Sequence, residues 1–272
     1  MLDRKTFYAY CRRAPFGGRL TQQQVDGINC VLSAWEDASP EGDIRHLAYI
    51  FATAFHETGG TMAPVREGFA KTDSGARKIV AKYKYGKPDK DTGHVYYGRG
   101  LVQLTWATNY RRMSGYVGVD LYSKPDLALD PAISAKILVV GMLRGLFTGD
   151  GLREYFNDSF DDAVGARKIV NGRDKAHLIA GYHAHFLAAL KAADTSTPMP
   201  EDVSDDAAKA DKPSLVTDKT LWGTATSVLG AGGTGIFGMV DNPWAFAFAA
   251  LVLVGVGLFL TGRLEIRRKA GA

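Results

Sequence analysis

The chain has 272 residues, 46% of them hydrophobic and 23% charged, with a formal net charge of +4 at pH 7. That composition excludes a disordered or collagen-like polymer and supports a packed core. Two cysteines, Cys11 and Cys30, are too few for a disulfide framework and read as small buried residues. The basic residues are too scattered for a nucleic-acid-binding surface, so no nucleic acid is expected as a partner.

In chain order, Asp3, Arg4 and Lys5 stand without an apolar run behind them, so a signal peptide is not expected. Val25, Ile28, Leu32 and Trp35 fall on one face of a helix opened by Thr21. A second helix is written by Ile44, Leu47, Ala48, Phe51, Ala54 and Phe55, with Ser39-Pro40-Glu41 as its expected cap and first turn. Gly59 and Gly60 end it, because glycine takes the left-handed conformation past a helix end without steric cost. Glu57 therefore lies in the last turn. There the negative end of the helix dipole and the apolar neighbours both disfavour its charge, which suits a general acid.

Glu67 follows ten residues later in Arg66-Glu67-Gly68-Phe69-Ala70-Lys71, where Arg66 and Lys71 are expected to favour its charged form, as a general base needs. Two carboxylates whose settings push their proton affinities apart are suited to acid/base cleavage of a glycosidic bond. Asp73 is a nearby substitute for Glu67. A zinc-protease helix would need a second histidine one turn after His56, where Gly60 stands. No metal or cofactor is expected.

Residues 96 to 110, Tyr-Tyr-Gly-Arg-Gly-Leu-Val-Gln-Leu-Thr-Trp-Ala-Thr-Asn-Tyr, are dense in aromatics, amides and hydroxyls, the groups that bind sugar ring faces and hydroxyls. Asp130-Pro131 opens a helix carrying Ile133, Ile137, Val140, Gly141 and Phe147, apolar nearly all round and expected at the centre of a mainly α domain. His177, His183 and His185 read as an ordinary helix surface. Gly-Ala-Arg-Lys-Ile-Val occurs at 75–80 and again at 165–170, a six-residue echo without a longer period and without an assigned role.

With His56-Glu57-Thr58-Gly59-Gly60, the Gly98-to-Asn109 segment and Val170-Asn171-Gly172 in this order, residues 20 to 190 resemble glycoside hydrolase family 19, the plant-type chitinases and their phage endolysin relatives. The resemblance implies a lysozyme-like, bilobal, α-rich domain with a cleft, and an inverting mechanism. Glu57 would be the acid and Glu67 the base. Gln103 and Asn109 would be substrate-contacting amides, Thr105 the hydroxyl that helps hold the attacking water, and Asn171 the asparagine of the Asn-Gly turn. His56 and Tyr96 join the candidate substrate-binding residues. Thr108 stands where the plant enzymes usually have tyrosine, and residues 176 to 189 hold no arginine to match their late active-site arginine. Phe160 to Gly172 look more like the endolysins that cut peptidoglycan. The expected partner is therefore the peptidoglycan glycan strand, with chitin oligosaccharide as the alternative.

The resulting organisation is a hydrolase domain over 1–192, a flexible linker over 193–219 and a membrane tail over 220–272. Pro243 to Gly262 is uncharged and long enough for a bilayer core. Arg263, Arg267, Arg268 and Lys269 favour a cytoplasmic C-terminus. Residues 220–240 read either as a weaker second span, which forms a hairpin that tethers the enzyme to the inner membrane, or as a glycine-rich spacer. The residues before 201 carry about +5 on this count, which fits an anionic cell wall. A holin-like membrane protein whose soluble domain only binds the wall is a further reading, against which stands the presence of both glutamates.

Overall fold

In the computed structural model, Thr21 opens the helix expected of it. The Thr21 side chain accepts from the Gln24 amide while Gln24 Oε1 accepts from the Thr21 amide, a reciprocal cap over α2, Gln22–Ala38. Seven α-helices, α1 (Arg4–Arg13), α2, α3 (Ile44–Glu57), α4 (Asp73–Val80), α5 (Ala107–Val117), α6 (Pro131–Leu143) and α7 (Ala176–Ala192), are joined by loops and short 3₁₀ turns among the described residues. A two-stranded antiparallel ribbon, β1 (Val65–Arg66) with β2 (Arg99–Gly100), pairs Val65 with Gly100 and Arg66 with Arg99. The domain is mainly helical, as expected. The structure describes residues 2–39, 42–194, 203–204 and 206–212. The two candidate membrane spans and the basic C-terminal end lie outside the described residues, and among the described residues no helix is long and apolar enough to cross a membrane.

Local signals decide most helix ends. Asp130 accepts from the Ala132 and Ile133 amides ahead of Pro131, and Gly59 and Gly60 take φ of 59° and 80° just beyond α3. The start of α3 departs from the expectation. Asp43 is its cap, accepting from the Arg45 amide at 2.8 Å, while Ser39 ends α2. Both are cap-forming residue types; the carboxylate that also grips the Arg45 guanidinium holds the helix start. Phe147 lies beyond the end of α6 rather than on it. The chain turns after Arg144 and lays the Phe147 ring against Gly141, where a Cβ would lie 2.1 Å from the ring.

The core centres on α3 packed against α7, with α2 against α6. Phe51 stacks on Phe186 with centroids 5.3 Å apart, and Phe55 meets Tyr182 edge to face at 4.7 Å. A smaller apolar cluster of Ala76, Val80, Val95 and Tyr97, flanked by Ala70, Ile79 and Tyr85, lies beneath α4 and the following loop. The interior is thus split into two unequal parts.

Part of the expected linker has defined structure. Residues 206–208 form a short turn beside α1, where Arg12 donates to the Ala207 carbonyl and pairs with Asp211 at 2.6 Å. Asp211 in turn accepts from the Leu20 amide at 2.6 Å. The docking rests mainly on one arginine, one aspartate and backbone groups, with Ala208 packed against the core.

His183 corrects the expectation of a histidine surface. It shares the inward stripe of α7 with Ile179, Phe186 and Leu190, is 4% exposed, and packs against Phe156 and Tyr49 at 5.1 and 5.7 Å. His177 and His185 face solvent. Burial lowers the His183 pKa, and that of His56, below 6.5. The unfolded chain then binds protons that the folded chain excludes. Stability is full above about pH 6.5 and declines as pH falls below it. Thermal melts between about pH 7.5 and 5 should show this decline, with a shallower slope in His183→Phe; an identical slope would remove His183 as a cause.

Candidate active site

Glu57 ends α3 with its side chain 16% exposed. The apolar, dipole-opposed setting expected for it is replaced by an ion pair: Arg167 Nη1 donates to Glu57 Oε1 at 2.8 Å. Arg167 is 3% exposed, and its Nε donates to the Asp174 carbonyl at 3.0 Å. The guanidinium is therefore a fixed support for one carboxylate oxygen, Oε1. No role was assigned to Arg167 from sequence, because the expected late arginine was sought in 176–189. Its partner lies 110 residues away, and no local pattern carries such a pairing.

Glu67 begins a 3₁₀ turn directly after β1. Its backbone amide donates to Gly98 O at 2.7 Å, the Gly98 amide returns a bond to Oε2 at 2.8 Å, and the Tyr85 hydroxyl donates to Oε1 at 2.7 Å. Both oxygens accept hydrogen bonds, a pattern suited to an ionised carboxylate. Arg66 does not help, since its guanidinium turns to Asp126 at 2.8 Å. The support expected from neighbouring charges comes instead from a tyrosine and a backbone amide. Asp73, the alternative base, has its oxygens taken by Arg77 at 2.6 Å, the Tyr97 hydroxyl at 3.0 Å and Arg99 at 3.5 Å.

The β2 segment that holds Glu67 is itself braced. Arg99 is 2% exposed, lies 3.6 Å over the Tyr97 ring, donates to Asp126 at 2.8 Å and reaches the Val95 carbonyl at 3.1 Å. A Cβ at Gly98 would lie 2.8 Å from Gln103 Oε1 and 3.3 Å from Glu67 Oε2, so a side chain there would displace Gln103 and crowd Glu67.

Glu57, Tyr85, Gln103, Thr105, Trp106, Asn109 and Asn171 line one cleft of about 400 Å³, large enough for sugar units. Gln103 donates to the Val65 and Gly100 carbonyls, Thr105 to Gln103 O, and Asn109 to Thr105 O. Gln103 and Trp106 take φ of 54° and 77°, unfavourable for residues with a Cβ, and the resulting turn carries Trp106 outward to 47% exposure.

Three candidates are not part of this lining. Glu67 meets it only through Tyr85, whose hydroxyl donates to Glu67 Oε1. Tyr96 is 2% exposed, stacked on Tyr122 at 5.3 Å, with its hydroxyl bonded to Tyr122 O and Thr92. Alternation along the extended 95–98 segment turns it into the core. His56 is absent from the cleft lining and faces Tyr182 at 6.5 Å, on the α7 side of α3. Tyr85 and Trp106 were not singled out individually from sequence; Trp106 belongs to the aromatic segment that pointed to sugars.

The Tyr85 hydroxyl is kept protonated by burial and by the Glu67 carboxylate, which both raise its pKa. Tyr85→Phe removes that donor without removing the ring. A fall in kcat of about ten-fold is expected, the size of one hydrogen bond to a charged group, with the melting temperature retained. An unchanged kcat would show that Gly98 alone orients Glu67.

The fold is a mainly helical domain with a cleft and two differently supported carboxylates. Residues 32–143 match the family model of class I chitinases, glycoside hydrolase family 19. Endochitinase A2 of Pisum sativum is 50% identical over 138 residues, which cover 46% of this chain and 40% of that protein. Endochitinase B of Nicotiana tabacum is 36% identical over 98 residues, 34% and 30% of the two chains. The chain thus spans well under half the length of these curated relatives. Among solved structures, chitinase C from Streptomyces griseus HUT6037 aligns with 70% of this chain and 76% of its own at 20% identity and a TM-score of 0.46.

Proposed function

We propose that this protein is a glycoside hydrolase that cleaves β-1,4 bonds in peptidoglycan glycan strands, in the manner of a phage or prophage endolysin. The observation that carries the chemistry is the cleft lined by Glu57, which a buried arginine holds, and by Tyr85, whose hydroxyl together with the Gly98 amide holds Glu67 behind it. In the reaction Glu57 gives its proton to the leaving glycosidic oxygen. Arg167 stabilises the carboxylate that forms as the proton departs, so its charge assists most in the transition state. Glu67 takes a proton from a water that attacks the anomeric carbon on the opposite face, giving inversion. Thr105 can position this water through its hydroxyl oxygen. Trp106 offers an apolar face to a sugar ring, and Asn109 and Asn171 offer amides to its hydroxyls.

The C-terminal tail is proposed to tether the hydrolase to the inner membrane, as one span or as a hairpin. This location, together with the composition of residues 160–172, supports a wall glycan as substrate. Chitin is the second reading, favoured by the similarity to plant endochitinases. Incubating the full chain with purified peptidoglycan sacculi and with colloidal chitin, and measuring released reducing sugar, separates them. Release from sacculi is expected. Release from chitin alone would replace the peptidoglycan assignment, and release from neither would remove the enzymatic reading in favour of a wall-binding membrane protein.

A further inference from the structure

The positive charge of the hydrolase domain is concentrated in one place. Residues 71–90 contain seven bases and two acids, a net +5 in twenty residues. The whole stretch from 1 to 200 also sums to +5, so everything outside this segment balances. Both acids are engaged: Asp73 by Arg77 and Arg99, and Asp89 by the Tyr122 hydroxyl and the Thr92 amide. Lys71, Lys78, Lys82, Lys84, Lys87 and Lys90 are exposed, and none is ion-paired among the described residues. Such a concentration of like charge opposes its own folding, so an anionic partner would gain from it.

The segment is continuous with the cleft through its aromatic rings. Trp106 meets Tyr85 edge to face at 5.4 Å, Tyr85 stacks on Tyr83 at 5.3 Å and 11°, and Lys82 Nζ lies 5.2 Å from the Tyr83 ring. Tyr83 and Trp106 are 41% and 47% exposed. Tyr85 also donates to Glu67, so this path begins at the candidate base itself. Sugar-sized flat faces therefore lead out of the cleft toward unpaired ammonium groups.

We infer that Tyr83 and the lysines around it, Lys82 and Lys84 above all, form a subsite that extends the cleft and binds glycan units bearing carboxylates. A neutral N-acetylglucosamine polymer leaves these charges unused, whereas a glycan with acidic substituents neutralises them. The inference rests on the proposed action on a wall glycan and names the chemical feature by which that substrate is recognised. An anionic lipid surface offers charge too, but has no use for aromatic faces running from the catalytic base.

The test compares binding of the full chain to native sacculi and to sacculi whose carboxylates have been converted to neutral amides, by co-sedimentation at low salt. The parent should bind native sacculi about ten-fold more tightly than amidated ones, a preference that weakens as salt is raised. Lys82→Glu/Lys84→Glu, at two exposed positions, should abolish the preference. Equal binding of the parent to both sacculi, or a preference unchanged in the variant, overturns the subsite. Retention on phosphatidylglycerol vesicles without a preference for native sacculi assigns the patch to lipid and also overturns it. Carboxylate-dependent binding by a parent that releases no sugar from sacculi would instead sink the hydrolase reading and leave the subsite standing.

Discussion

Glu57→Gln is expected to remove glycan hydrolysis by the full chain, a loss of at least about a hundredfold in kcat, the minimum typical of deleting an acid catalyst. Glutamine fills the same volume at the end of α3, and its carbonyl oxygen can still accept from Arg167, which donates to Glu57 Oε1 at 2.8 Å in the parent. What it lacks is a proton to give. The melting temperature should therefore stay close to that of the parent while turnover disappears. Retained turnover in a folded Glu57→Gln variant would exclude Glu57 as the acid. Glu67→Gln is a harsher exchange. Its amide must place an N–H against either the Tyr85 hydroxyl or the Gly98 amide, which donate to the two carboxylate oxygens in the parent. The hydroxyl can rotate and accept, but the backbone amide cannot, so glutamine is restricted to one orientation.

Arg167→Leu is expected to destabilise the domain by about 3 kcal/mol, the lower end of the range for breaking a buried ion pair. The guanidinium is 3% exposed, and its removal leaves the Glu57 carboxylate, 16% exposed, without a counter-charge. It also leaves the Asp174 carbonyl without its donor. For a domain of this size the cost corresponds to a drop of about 6–12 °C in melting temperature. Turnover should fall as well, because the carboxylate formed on proton transfer has lost its partner. Arg167→Lys keeps the charge but not the two-sided reach of a guanidinium, so it should fall between. Coupling separates the contributions. Combined with Glu57→Gln, Arg167→Leu should cost less than the two single changes added together, since no charge is left behind. Strict additivity would mean that the two residues do not act as a pair.

The repeated hexapeptide shows why the site was only partly legible. Gly-Ala-Arg-Lys-Ile-Val is α-helical at 75–80, within α4, yet at 165–170 it lies largely in a 3₁₀ turn. In the first copy Arg77 pairs with Asp73 one turn back, a local partner visible from spacing. In the second Arg167 crosses to Glu57, for which spacing offers no clue. Identical residues thus supply a helix-surface ion pair and the support of the candidate acid. Tyr85 is a similar case: its value lies in meeting Glu67 across two loops, whereas in sequence it is one tyrosine in a run of lysines.

Features that depend on neighbours within a few residues were determined by the sequence alone. They include the Thr21 and Asp130 caps, the glycine stop after Glu57, the apolar α6, the mainly helical class and the polar-aromatic segment that lines the cleft. Their physical basis is short-range hydrogen bonding, backbone sterics and periodicity, all written in consecutive residues. The ion-pair partner of Glu57, the hydrogen-bond donors to Glu67, the inward turn of Tyr96, the burial of His183 and the exclusion of His56 from the cleft were decided by tertiary structure. Each depends on which distant surfaces pack together. A buried arginine or tyrosine takes whichever carboxylate the packing brings within reach, because desolvation makes an unpaired partner too costly to leave alone.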